Sequence, residues 1–92
     1  MIWNYRVTHR PKSAPLEGFQ IREVYYDDER GRVRFYTQNP VTPFGDISEE
    51  LYEDFCEMMK AFDEEPLNLD HVDYLIKVKK GNERKKKEQT KK

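Results

Sequence analysis

The chain has one cysteine, Cys56, four glycines, and no apolar run near the ~20 residues that a membrane-spanning helix requires. A single thiol excludes an internal disulfide framework and any zinc site built from several cysteines. Of the two histidines, His71 lies between Asp70 and Asp73, but no second His or Cys stands at ligand spacing, and the Asp27-Asp28-Glu29 turn lacks the alternating ligands of a calcium loop. No metal and no cofactor is expected. The opening Met1-Ile2-Trp3-Asn4-Tyr5-Arg6 has neither the basic nor the apolar region of a secretory signal, so a cytoplasmic protein without a membrane partner is expected. Gly-rich phosphate loops, a Ser-centred elbow and Walker patterns are also missing. Cys56, the one thiol nucleophile, sits beside Glu53 and Glu57, whose charge raises rather than lowers a thiol pKa. No catalytic residue is assigned, and the chain is not expected to be an enzyme.

What remains is one small domain of 92 residues, with 36% hydrophobic and 13% aromatic residues, enough large rings to build a core. The 17 basic and 18 acidic residues nearly cancel to -1, which excludes a uniformly basic surface. They are segregated, however. Residues 46–73 carry eleven acids against Lys60 alone, whereas residues 74–92 carry nine basic residues against Glu83 and Glu88. From Gly81 onward no apolar side chain offsets the entropy of ordering. The sequence therefore predicts a single α+β domain over residues 1–78 and a basic, disordered tail over residues 79–92.

Trp3, Tyr5, Val7 and His9 alternate with polar residues, the period of a half-buried strand that Pro11 stops. Residues 19–26 form a second strand in which Phe19 and Ile21 share a parity that Val24 and Tyr26 do not. Either a bulge lies near Arg22 and Glu23, or both faces carry aromatics. Gly31 should take a positive φ and turn the chain into a third strand, residues 33–38. Ser48 is the expected N-cap of an amphipathic helix, with Ile47 and Tyr52 spaced as a staple. Leu51, Phe55, Met58, Met59 and Phe62 make its apolar stripe, and Glu49, Glu50, Glu53, Glu57 and Glu64 its acidic one. Pro66 ends it. A further element over residues 67–78, a short second helix capped near Asp70 or a strand, follows. The expected architecture is βββα: a three-stranded antiparallel sheet covered by one helix, with Phe55 in the covering stripe. A core of this size seldom supplies more than ~3 to 5 kcal/mol, so a homodimer is a natural supplement.

The segments Trp3-Asn4-Tyr5-Arg6-Val7, Glu23-Val24-Tyr25-Tyr26-Asp27 and Asn39-Pro40-Val41-Thr42-Pro43-Phe44-Gly45-Asp46 resemble a family of small uncharacterised bacterial proteins. That resemblance covers residues 1 to about 70 and implies a strand, strand, strand, helix domain. The element order is also similar to the partial RNase H-like domain of HicB-type antitoxins, which implies an antitoxin-like regulatory role. Such antitoxins generally add a DNA-binding segment, and residues 74–92 are too short and too charged to form one.

Two functions follow as expectations. In the first, a non-catalytic interaction or regulatory domain docks a basic protein partner on Glu49, Glu50, Glu53, Glu57 and Glu64. In the alternative, a nucleic-acid-associated protein uses Arg6, Arg10, Arg22, Arg34 and Tyr36 on an uncovered sheet face, together with the tail residues Arg84, Lys85, Lys86 and Lys87. The stretch from Arg30 to Tyr36 opens like an RNA-recognition signature but lacks the aromatics at its third and fifth positions. A solvated arginine face and a solubilising tail are the bland counterparts of that alternative.

Overall fold

The computed structural model of the chain describes residues 2–27 and 31–90, with side chains described as far as Gly81. Strand β1 (Ile2–His9) leads through a 3₁₀ turn (Pro15–Glu17) to β2 (Phe19–Tyr26) and β3 (Val33–Tyr36). Helix α1 (Ser48–Met59) runs into a second 3₁₀ turn (Lys60–Asp63). A two-residue strand, β4 (Leu67–Asn68), then precedes helix α2 (Leu69–Thr90).

The strands lie in the order β3-β2-β1-β4, with β1–β2 and β2–β3 antiparallel and β4 parallel to β1. The β2–β3 connection is the expected hairpin: Asp27 N–H donates to the Arg32 carbonyl at 2.8 Å, and Gly31 takes φ +64. Register between β1 and β2 is unbroken from Ile2↔Tyr26 to His9↔Phe19. No bulge therefore sits at Arg22 and Glu23, and both faces of β2 carry aromatics. The irregularity lies instead between Tyr25 and Tyr26, against β3.

The class is α+β, but the expected three antiparallel strands under one helix must be corrected. After Pro66, Leu67 and Asn68 pair with Thr8 and His9 along the outer edge of β1, which an open three-stranded sheet would leave unpaired. Two residues are too few to show a period, so this strand leaves no pattern in the sequence. Residues 69–78 are helical, and Asn68 rather than Asp70 caps them, its Oδ1 accepting the His71 N–H at 3.2 Å. Residues 79–90, twelve of the fourteen residues of the expected tail, continue α2. Side chains beyond Gly81 and all of residues 91–92 lie outside the described residues.

One helix lies on each side of the sheet. Trp3, Tyr5 and Val7 point to the side of α1, where Tyr5 bonds Asp54; Arg6, Val24 and Tyr36 point to the side of α2, where Tyr36 bonds Asp73. The buried apolar residues divide accordingly, with Val7, Met58 and Ala61 in one layer and Val24, Leu69 and Val72 in the other.

The expected covering stripe of α1 is not in the core. Leu51, Phe55, Met59 and Phe62 are 44%, 51%, 54% and 69% exposed, and only Met58 of that set is buried. The helix is turned about its axis so that Asp54, Met58 and Ala61 meet the sheet. Its start is one residue off as well. Ile47, in extended conformation, holds the cap position without a side-chain bond, and Ser48 is already helical. Glu50 Oε2 caps from within by accepting the Asp46 N–H at 3.1 Å.

Candidate functional site

The rotation of α1 has a local cause. The Tyr5 hydroxyl, carried by a strand whose inner face is otherwise apolar or aromatic, needs an acceptor, and Asp54 supplies it at 2.9 Å. The other oxygen of Asp54 accepts the Phe44 N–H at 2.9 Å, so one carboxylate ties the loop before α1, the helix and the sheet together. Ala61, 1% exposed, offers the small side chain that lets the helical segment approach β1 closely. Burial and the neighbouring Asp54 push the Tyr5 phenol up to about 12.

Between β1 and α1 this leaves a cleft of about 300 Å³ lined by Trp3, Asn4, Tyr5, Asp54, Glu57 and Lys60. The rings of Trp3 and Tyr5 stand edge to face, 5.2 Å apart at 88°. The aromatic row continues across the sheet, with Tyr25 tilted 6.0 Å from Trp3 and Phe35 stacked 4.6 Å from Tyr25. Glu23 accepts a hydrogen bond from the Tyr25 hydroxyl at 3.0 Å and holds that phenol above its ordinary pKa. Lys60 is held by Glu57 at 2.9 Å, which raises the ammonium pKa, so a cation of the chain already sits in the cleft.

Of the acidic residues expected to dock a partner, Glu49, Glu50, Glu53 and Glu57 share one exposed strip of α1, with Glu57 at the cleft. Glu64 does not belong with them. The helical segment ends at Asp63, Glu64 is extended, and its carboxylate pairs with Arg6 at 2.9 Å.

The arginine-bearing sheet face is covered rather than open, because α2 and the chain leading into it lie across it. Arg6 spans the Tyr26 hydroxyl, the Glu65 carbonyl and Glu64. Arg10 is bound to Asp73 at 2.8 Å and to the Tyr36 hydroxyl at 2.6 Å, and both partners raise its pKa further. Arg22 is 3% exposed and donates to Thr8 Oγ1 at 2.7 Å. Arg34 is exposed and reaches the rim of a cleft of about 440 Å³ that Arg10, Tyr36 and Lys80 also line. Arg84, Lys85, Lys86 and Lys87 lie outside the residues whose side chains are described.

Sequence reasoning missed Trp3, Tyr5 and Asp54 as site residues. The signal was present only in part: on the wheel Asp54 lies between Glu50 and Met58, at the border of the acidic and apolar sides, and an acid beside a buried position calls for a hydroxyl across from it. Asp70, taken as a cap, is instead a latch. It accepts bonds from the Lys12 and Ser13 N–H groups and the Ser13 hydroxyl, which lower its pKa.

Among the described residues no three His, Cys, Asp or Glu side chains group as a metal set, and no helix is long and apolar enough to cross a membrane. A larger groove of about 650 Å³ runs between β3 and α2, lined in part by Val33, Val72, Leu75 and Ile76. No family model, curated protein or solved structure matches the chain.

Proposed function

We propose that the protein is a non-catalytic interaction domain that holds a basic segment of a protein partner in the cleft between β1 and α1. The observation that carries this is the meeting of two perpendicular aromatic rings, Trp3 and Tyr5, with the carboxylates of Asp54 and Glu57 in one cleft. Ring faces attract a lysine ammonium or an arginine guanidinium through the quadrupole, and carboxylates add charge-assisted hydrogen bonds. Lys60 is an internal stand-in for such a group. Its pair with Glu57 is exposed on both sides, so an incoming cation displaces it at little cost. Glu49, Glu50 and Glu53 extend the negative field along the approach, which favours fast encounter with a basic surface at low salt. A regulatory, antitoxin-like role, in which the domain neutralises a basic protein by occupying its surface, falls within this proposal.

Trp3 is the only tryptophan, so its emission reports on the cleft directly. Titration with an arginine-rich peptide at low salt should change that emission saturably, with an affinity that falls as salt rises. Glu57→Lys should weaken binding by about tenfold or more. An unchanged emission, or equal binding by Glu57→Lys, would remove the cleft as the site.

A further inference from the structure

The opposite flank of α1 poses a separate question. Leu51, Tyr52, Phe55, Met59 and Phe62 form one outward stripe along α1 and the turn that continues it, each between 44% and 70% exposed. The three rings, Tyr52, Phe55 and Phe62, carry ~150 to 250 Å² each, and with Leu51 and Met59 the exposed parts of the stripe amount to roughly 600 Å². That is at the upper limit of the largest apolar patch on an ordinary monomer, about 300 to 600 Å². Phe44 and Ile47, 71% and 54% exposed, extend the apolar surface at the helix start. A standard interface takes about 800 Å² from each partner, with an apolar centre and a polar rim. The stripe supplies the centre, and the glutamates beside it supply a rim. Against this, the inner layer beneath α1 contains, among the described residues, only Val7, Met58 and Ala61 as buried apolar side chains.

We infer that this stripe is a self-association face, on which a second copy of the chain packs its own α1 antiparallel about a two-fold axis close to Cys56. A closed two-fold dimer uses the same patch on both copies, which an apolar stripe centred on itself allows. With Tyr52 and Met59 at one core position of the heptad and Phe55 and Phe62 at the other, antiparallel packing sets Phe55 against Met59 of the second copy. Tyr52 then meets Phe62. The charges favour the same direction. Glu49, Glu50 and Glu53 lie in the first half of α1, so reversal carries them away from the same residues of the second copy. Parallel packing would set glutamate beside glutamate. Cys56 lies next to Tyr52 at the edge of the stripe, where its hydrogen bond raises the Tyr52 pKa, and in the antiparallel dimer it approaches its own copy.

The cleft at Trp3 lies on the other flank of the helix, so the two tests do not depend on each other. Sedimentation across a concentration series should show a reversible dimer. Phe55→Asp and Met59→Glu, both at exposed positions, should weaken it about thirtyfold or more with unchanged circular dichroism. Two variants one turn apart guard against local misfolding of either. A short bismaleimide should link Cys56 to Cys56 in the wild type and not in Phe55→Asp. A monomer at every concentration up to the millimolar range overturns the inference and leaves the stripe to a different protein. A dimer that both variants leave intact uses another surface and overturns it equally. A dimer that both variants break but that Cys56 does not cross-link overturns the antiparallel arrangement.

Discussion

Arg22 lies directly across from Arg6, 3% exposed, with its Nη1 on the Thr8 hydroxyl and its Nε making no hydrogen bond among the described residues. Thr8, fully buried, donates to the Gln20 carbonyl at 2.8 Å and accepts from the guanidinium, so its one oxygen satisfies groups on both sides. Thr8→Val should therefore cost about 1 to 3 kcal/mol in chemical denaturation, because it strands a charged donor. Arg22→Met keeps most of the volume without the buried charge and should be neutral or mildly stabilising. In that background the cost of Thr8→Val should fall by more than about 0.5 kcal/mol, and an unchanged cost would assign it to the Gln20 carbonyl instead. Tyr5 makes a pH-dependent contribution. Its folded pKa of about 12 exceeds the unfolded value of 10.0, so the folded state holds the phenolic proton more tightly. The stability attached to it is fully present below pH 10 and is lost as pH rises through about 12. Melting temperatures taken across that window should fall less steeply for Tyr5→Phe than for the wild type, and parallel curves would remove Tyr5 as the cause.

At the scale of elements, α1 separates what the sequence tells from what it does not. Its existence and the segregation of glutamates from apolar residues are legible in a 3.6-residue period, whereas the helical segment stops at Asp63, before the expected Pro66 boundary. Which side meets the sheet is not, because periodicity ranks sides by hydrophobicity alone. Here the deciding contacts are one carboxylate, Asp54, and one small residue, Ala61. The same blindness hid the cleft: Trp3 and Tyr5 read as an ordinary strand face until Asp54 and Glu57 are set beside them. The β2–β3 hairpin was legible because a positive φ at Gly31 is a local demand, whereas the pairing of β4 with β1 is a long-range one. In dilute protein, Met58→Ala should cost about 2 to 5 kcal/mol and Phe55→Ala, half exposed, less than about 1.5. Equal losses by thermal melting would return Phe55 to the core. The start of α1 adds a second test. A Cβ on Gly45 would lie 2.2 Å from the Leu51 amide nitrogen and 2.6 Å from the Glu50 carbonyl carbon, both backbone atoms that a rotamer change cannot move. Gly45→Ala should therefore destabilise by about 1 to 3 kcal/mol, and a variant as stable as wild type would show that this loop is free to shift.

Across the whole molecule, the charge blocks seen along the sequence become contacts. The acid-rich segment of residues 46–73 crosses to the sheet and engages its arginines, Glu64 with Arg6 and Asp73 with Arg10, and Tyr36 donates to the same Asp73. Cations committed in this way are poorly placed to neutralise phosphates, since each must first release a half-buried carboxylate. Arg34 and Lys80, both exposed at the rim of the Arg10–Tyr36 cleft, remain available on that face. Any affinity of the full chain for duplex DNA should then arise from the basic residues that follow Lys80. If those residues neutralise about six phosphates, the log–log salt slope lies near -5. A chain ending at Lys80 keeps both arginine ion pairs described above, so it should melt where the full chain does while losing most of that slope. A truncated protein that still bound DNA with the full salt dependence would move the phosphate contacts to Arg34 and Lys80. It would also show that the pairs with Glu64 and Asp73 open readily, and Arg34→Ala in the truncated chain would then be the variant that abolishes binding.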